Sequence, residues 1–191
     1  PNWSQAPLVF EFKPKERWQY SGEAYVLLQR AIERITGLPL DAFMRAQVFQ
    51  PLGMASSDYV WRPGLAADLV PGTRAHGSLL TPLQFQTPVS AFSLYTSAQD
   101  YARFLSALLN DTQALNMLLS TPVSADPALG LQWGLGWGME ASAQDTFIWH
   151  WGNNPGYRAF VMASVQSGDA VVMLTNSENG LALAEPIVQA V

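Results

Sequence analysis

From Ser21 to Thr36 the apolar positions Ala24, Leu28, Ala31, Ile32 and Ile35 recur at helical spacing, while Gln29, Arg30, Glu33 and Arg34 fill the opposite side. This predicts an amphipathic helix, stopped by Gly37 in a left-handed cap and by Pro39 beyond it. A second short helix is expected from an Asp41 cap to Phe49, ended by Pro51 and Gly53. Met54 to Thr96 has no sustained period and is rich in Pro, Gly, Ser and Thr, the composition of a long loop of the kind that borders binding clefts. Ser97 to Asp100 forms a capping-box pattern before a third helix with the stripe Tyr101, Phe104, Leu105, Leu108 and Leu109, closing at Asn110-Asp111. A short helix around Leu115 to Leu119 follows.

Beyond Pro127 the period shortens toward two. Strands are expected at Trp133–Met139, Thr146–Trp151, Tyr157–Val165 and Ala170–Thr175, and the tight connection Gln166-Ser167-Gly168-Asp169 makes the last two antiparallel neighbours. A final helix is expected over Leu181–Val191. Helices first and strands afterwards predict an α+β arrangement: one domain over 1–191, mainly helical over 20–125, with antiparallel strands and a C-terminal helix over 126–191.

Composition narrows what such a fold does. A hydrophobic fraction of 49% with 13% charged residues fits a packed globular chain. The net charge of -5 and scattered basic residues give no footprint for nucleic acid. Cysteine is absent, which excludes disulfides and thiolate chemistry and leaves the compartment open. No apolar run is long enough to span a bilayer. With two histidines and no ligand pair at helical spacing, neither a metal nor another cofactor is expected. A start at Pro1 without Met is expected of a piece of a longer protein.

The chemically suggestive residues lie at two distant points. Tyr20 directly precedes the first helix in Tyr20-Ser21-Gly22, where the positive end of the helix dipole favours a phenolate suited to general-base work. The same triplet also fits an amphipathic anchor with Ser21 as the helix cap. His150 lies between Trp149 and Trp151 at a strand end, before Gly152-Asn153-Asn154-Pro155-Gly156, a turn that would let backbone amides approach a ligand. It suits support of a phenolate or substrate carboxylate, or equally a histidine packed in an aromatic cluster. His76, in the loop, and the tryptophans Trp133, Trp137, Trp149 and Trp151 are expected to serve structure.

Read in order, these segments resemble the serine β-lactamase and penicillin-binding-protein superfamily, in particular its class C β-lactamases, D,D-carboxypeptidases and esterases. Lys15-Glu16-Arg17-Trp18-Gln19-Tyr20-Ser21-Gly22 resembles the approach to the family's Tyr-Ser-Asn element, and Thr36 to Leu40 with Pro51-Leu52-Gly53-Met54 its next helix pair. Ser93 to Leu105 resembles its capped helix, Gly134-Leu135-Gly136-Trp137 its glycine-tryptophan strand, and Leu174-Thr175-Asn176 a later strand end. His150-Trp151-Gly152 stands at the family's Lys-Thr-Gly or His-x-Gly motif.

The resemblance implies a β-lactamase/transpeptidase-like fold, with Tyr20 as general acid/base, His150 as its electrostatic partner, and Ser21, Gly22, Trp151, Gly152 and Asn153 beside the substrate. Asn153 would supply an oxyanion amide. It also implies a serine hydrolase acting on an ester, amide or β-lactam, with export to the periplasm or outside the cell as the family's habit. Three departures stand out. No Ser-x-x-Lys exists, since the only lysines, Lys13 and Lys15, follow Phe10 and Phe12 by three positions. Gly22 replaces an asparagine, and Trp151 a threonine. The chain is therefore expected to be an incomplete domain, inactive alone, taking a small-molecule or peptide substrate and exposing an apolar face for a missing N-terminal segment or a second copy. The other classes of answer are a ligand-binding pseudoenzyme and an interaction domain of the same fold.

Overall fold

The computed structural model describes residues 9–14 and 16–190; Lys15 in the approach to Tyr20, the Pro1 start and Val191 at the end of the expected last helix lie outside the described residues. Helix α1 spans Gly22–Thr36, and α2 spans Leu40–Met44 and continues through a π turn at Arg45–Phe49. Gly37 closes α1 with φ 70° and its N–H donates to Glu33 O. Asp41 is not the cap of α2. Pro39 occupies that position and Glu33 of α1 supplies the missing acceptor, its carboxylate 3.0 Å from Leu40 N. Asp41 sits instead in the first turn, 3.6 Å from Arg45.

Helix α3 runs Ala98–Asn110 and α4 runs Thr112–Ser120, longer than expected because Asp111 ends the first and caps the second, accepting from Ala114 N at 2.9 Å. Only half of the capping box forms. Ser97 Oγ accepts from Asp100 N at 3.2 Å, but the buried Asp100 carboxylate turns away to Ser56 N (2.8 Å), Ser57 Oγ (3.0 Å) and Arg103 (2.7 Å).

A six-stranded antiparallel sheet follows, its strands paired in chain order: β1 Val123–Asp126, β2 Leu131–Gly134, β3 Trp137–Ala141, β4 Thr146–Asn154, β5 Tyr157–Ser164 and β6 Ala170–Thr175. The expected strand Trp133–Met139 is in fact the hairpin of β2 and β3, turned at Leu135-Gly136. Strand β1 was hidden by its short polar sequence Val-Ser-Ala-Asp, so the sheet begins inside the stretch expected to be helical. A 3-10 turn at Gly180–Leu183 leads into α5, Ala184–Val188, which packs on β6. The architecture is thus the α+β arrangement expected, helices first and then an antiparallel sheet with a terminal helix.

Helices α3 and α4 cover one face of this sheet. Leu105, Leu118, Trp137, Met139, Ile148, Val161 and Ala163 form a buried cluster there. Burying each large aliphatic side chain contributes about 1.5–3 kcal/mol. Gly138 lies under Trp149 on β4, where a Cβ would come within 2.6 Å of the indole ring.

The first helix behaves differently. Its buried residue is Gln29, which donates to Pro88 O (3.0 Å) and Glu33 (3.0 Å) and accepts from Ser90 N (2.9 Å). Its apolar stripe is turned outward, with Leu28 53% and Ile35 84% exposed. The 54–96 loop is held by polar contacts as well. Asp58, fully buried, pairs with Arg45 (2.9 Å) and Arg62 (3.1 Å) and bridges Tyr95 through its backbone. Glu178, just beyond β6, accepts from Ala75 N (3.1 Å) and Gly156 N (3.2 Å) and so ties the loop to the β4–β5 turn.

Candidate functional site

Tyr20 ends an extended segment directly before α1. Ser21 is the cap, its Oγ accepting from Ala24 N at 3.1 Å and donating to Glu23 at 3.3 Å. The Ser21 hydroxyl is thus engaged by its own helix, and Gly22 is the helix's first residue. Tyr20 itself is free of that duty. It is 62% exposed, and its ring lies nearly parallel to that of Trp151, 11° between planes and 6.3 Å between centroids.

Trp151 follows His150 on β4, and the imidazole packs edge-on against Trp133 of β2 at 5.4 Å. Its Nδ1 lies 2.7 Å from Trp151 O. A carbonyl oxygen only accepts, so Nδ1 carries the hydrogen, and in the neutral ring Nε2 is the acceptor. Burial holds the His150 pKa below its ordinary value of 6.5, opposed by the bond to that carbonyl. The ring is therefore neutral at pH 7, and it offers a lone pair rather than a fixed positive charge.

Gly152 and Asn153 do not lie in a turn. Strand β4 continues to Asn154, paired with Tyr157 of β5, and the chain reverses at Pro155-Gly156. Gly156 has φ 80° and lies against Gly72, so a side chain there would meet both backbone strain and the loop. On its other side β4 pairs with β3 from Thr146 only as far as Trp149. From His150 to Asn154 that edge has no strand partner among the described residues, leaving a short open border beside Tyr20 and Trp151.

The structure thus brings Tyr20, Trp151 and His150 into one aromatic neighbourhood, although the phenol meets Trp151 rather than the imidazole. Sequence reasoning gave no site role to the residues that join them, Trp133 being expected only to serve structure. Trp18 lies 5.0 Å from Trp133, which in turn contacts both Trp149 (5.7 Å) and His150. The signal was the Trp18-x-Tyr20 alternation, which on an extended chain puts both rings on one side. Tyr25 is another, its hydroxyl 3.1 Å from where a Gly136 Cβ would stand. Burial, with the nearby Tyr20 adding to it, pushes the Tyr25 pKa up. His76 is remote from this patch in its contacts, exposed and hydrogen-bonded to Ser78 at 3.0 Å. Among the described residues no group of three or more His, Cys, Asp or Glu could hold a metal ion, and no helix is long and apolar enough to cross a membrane.

Comparison with known proteins fits this architecture. The Beta-lactamase family profile matches residues 4–189. Penicillin-binding protein 4* of Bacillus subtilis is 24% identical over 94% of this chain and 44% of its own length. Esterase EstB of Burkholderia gladioli is 28% identical over 91% of this chain and 53% of its own. The chain therefore spans about half the length of the curated relatives it matches. The solved β-lactamase/D-alanine carboxypeptidase of Pseudomonas syringae superposes with a TM-score of 0.79 at 18% identity, over 94% of this chain and 61% of that one. With nearly its whole length matched by the profile, and with the helix-then-sheet order that the sequence motifs implied, the chain belongs to the Beta-lactamase family of hydrolase-like proteins.

Proposed function

We propose that this chain is the C-terminal portion of a serine hydrolase that cleaves an ester, an amide or a β-lactam through an acyl-enzyme, and that it is inactive alone. The observation that carries the reading is the stacking of Tyr20 on Trp151 beside His150, which unites residues far apart in sequence at an open strand edge. In this reading a serine hydroxyl from outside the chain attacks the substrate carbonyl carbon, and the Tyr20 phenolate takes its proton. The proton passes to the departing alcohol or amine as the bond to the acyl carbon breaks. Water then attacks the acyl ester, giving one proton back through Tyr20 to the serine as the acid leaves. His150 Nε2 is the candidate acceptor for the Tyr20 hydroxyl in the steps where the phenol carries the proton, and the Asn153 amide on the open edge is the candidate donor to the oxyanion.

The outward stripe of α1 supports the same reading. A helix normally buries its apolar side, and here that side is free to receive the nucleophile-bearing segment. Strand β6, at one margin of the sheet, is bordered by a groove of ≈ 440 Å³ between α3 and the β5–β6 turn, a second surface for that segment.

The test uses this chain and a longer protein containing the upstream segment, each incubated with p-nitrophenyl acetate, a neutral amide and a chromogenic cephalosporin. Turnover and a serine-linked mass adduct are expected in the longer protein only. Tyr20→Phe there should lower kcat by about 10²-fold or more. Ligand binding without an adduct in either protein would favour the pseudoenzyme, and a second copy seated on α1 in solution would favour an interaction domain.

A further inference from the structure

We propose that Glu178, beyond the last strand, is a positioning residue for the reaction: it fixes the β4–β5 turn and thereby the Asn153 amide on the open edge. What that amide does rests on the hydrolase reading, whereas what holds it in place does not. Strands β4 and β5 are joined by the two-residue turn Pro155-Gly156, so Asn154 and Tyr157 are the pair that bond each other across it. The next pair alternates. Asn153 therefore points its N–H away from β5, to the side where β4 has no strand partner among the described residues. Arg158 opposite it points its carbonyl the other way, where Thr175 Oγ1 of β6 donates to it at 3.3 Å. A donor on such a border has no neighbouring strand to steady it, and a group that acts on a reacting atom must be held within about 0.5 Å. The turn at the end of the border has to supply that support.

Both backbone groups of Gly156 in that turn are held from outside the hairpin. Its N–H donates to Glu178 Oε1 at 3.2 Å, and its carbonyl accepts from Thr73 N at 3.1 Å. Glu178 Oε2 accepts from Ala75 N at 3.1 Å, and Glu178 N donates to Thr73 O at 2.9 Å, so one residue grips the loop twice and the turn once. The fit is close. A Cβ on Gly72 would come within 3.0 Å of Gly156 Cα. Two converging N–H groups need two oxygens that only accept, which a carboxylate has and a carboxamide lacks. The bond from Ala75 first, then that from Gly156 and the charges of Arg158 and Arg74, hold the Glu178 carboxyl below its ordinary value, so both oxygens remain acceptors at neutral pH.

Glu178→Gln tests the role in two proteins. In this chain, backbone amide relaxation by NMR should show Asn153 and Gly156 as rigid as Ile148, with order parameters of about 0.85, and the variant should bring the first two toward about 0.6 while Ile148 keeps its value. Glu185→Gln, the same change on exposed α5, should alter none of the three. In the longer protein with p-nitrophenyl acetate, Glu178→Gln should lower kcat about tenfold and leave KM within about twofold, because a displaced oxyanion donor is felt in the transition state rather than in binding. Should Gln prevent folding, Glu178→Asp, with the charge kept and one methylene fewer, is measured in its place and should move both readouts the same way. An Asn153 amide as rigid in the variant as in the parent, a loss carried by KM alone, or an equal loss in Glu185→Gln would overturn the proposal. The two readings fail separately. Wild-type turnover that Glu178→Gln leaves unchanged strikes Glu178 and keeps the hydrolase, whereas no turnover in the wild type strikes the hydrolase, and the Asn153 order parameter still decides what Glu178 fixes.

Discussion

The sheet with α3 and α4, and the α1–α2 region with the 54–96 loop, are held together by opposite means. The first buries Ile148, Leu105, Leu118 and Val161 in a cluster that needs no outside help. The second turns Gln29 and Glu33 inward, locks Asp58 against Arg45 and Arg62, and leaves Leu28 and Ile35 in water. The contrast teaches that amphipathicity locates a helix without saying which side its own chain will cover. In α1 the polar side meets the loop, and the apolar side faces solvent.

The comparison breaks most readily in the sheet. Ile148→Ala removes a fully buried side chain from the centre of the cluster and should cost about 3–4 kcal/mol in urea unfolding. Asp58→Asn strikes the other region. Because both arginines reach solvent, it should cost less, about 2 kcal/mol, and hydrogen exchange should rise first in the 54–96 loop while β4 and β5 stay protected.

A smaller effect comes from His150. Its folded pKa lies below 6.5, so between the two values the unfolded chain binds more protons and stability rises with pH. The native state should therefore keep its full stability above pH 6.5 and lose some as pH falls toward the lowered value, and His150→Gln should flatten this part of the melting-temperature profile. The smallest effect is expected at Leu28→Gln, within about 0.5 kcal/mol for the chain alone. In the proposed reading the same change should weaken capture of a nucleophile-bearing segment, and a large loss of stability instead would show that α1 already buries its stripe.

Much of the architecture was legible because local chemistry decides it. Gly37, Ser97 and the Gln166–Asp169 turn set boundaries through backbone groups a few residues away, and those boundaries appear where they were expected. Where the competing partner was distant, reading failed. Asp41 was displaced as a cap by Glu33, and Asp100 was drawn from its capping box by Ser56 and Ser57 across the loop. The β2–β3 reversal was masked for another reason: Leu135 prolongs the apolar run through the turn, and Gly136, with φ 87°, is what permits the chain to double back. In the candidate site, Tyr20 and His150 stood out by their chemistry. Trp18 and Trp133 did not, because their part is to bring the two segments together, and that contact exists only once the sheet has formed.

The clasp made by Glu178 sets an order of events during synthesis. Each strand of the sheet pairs with the one made just before it, so hairpins can assemble as they leave the ribosome. Ala75 must wait for a carboxylate that emerges about a hundred residues later, a loop-closure delay that leaves the segment around Ala75 without this clasp until β6 is complete. A nascent chain stalled before Glu178 should therefore be cut by protease near Ala75 while its finished hairpins resist.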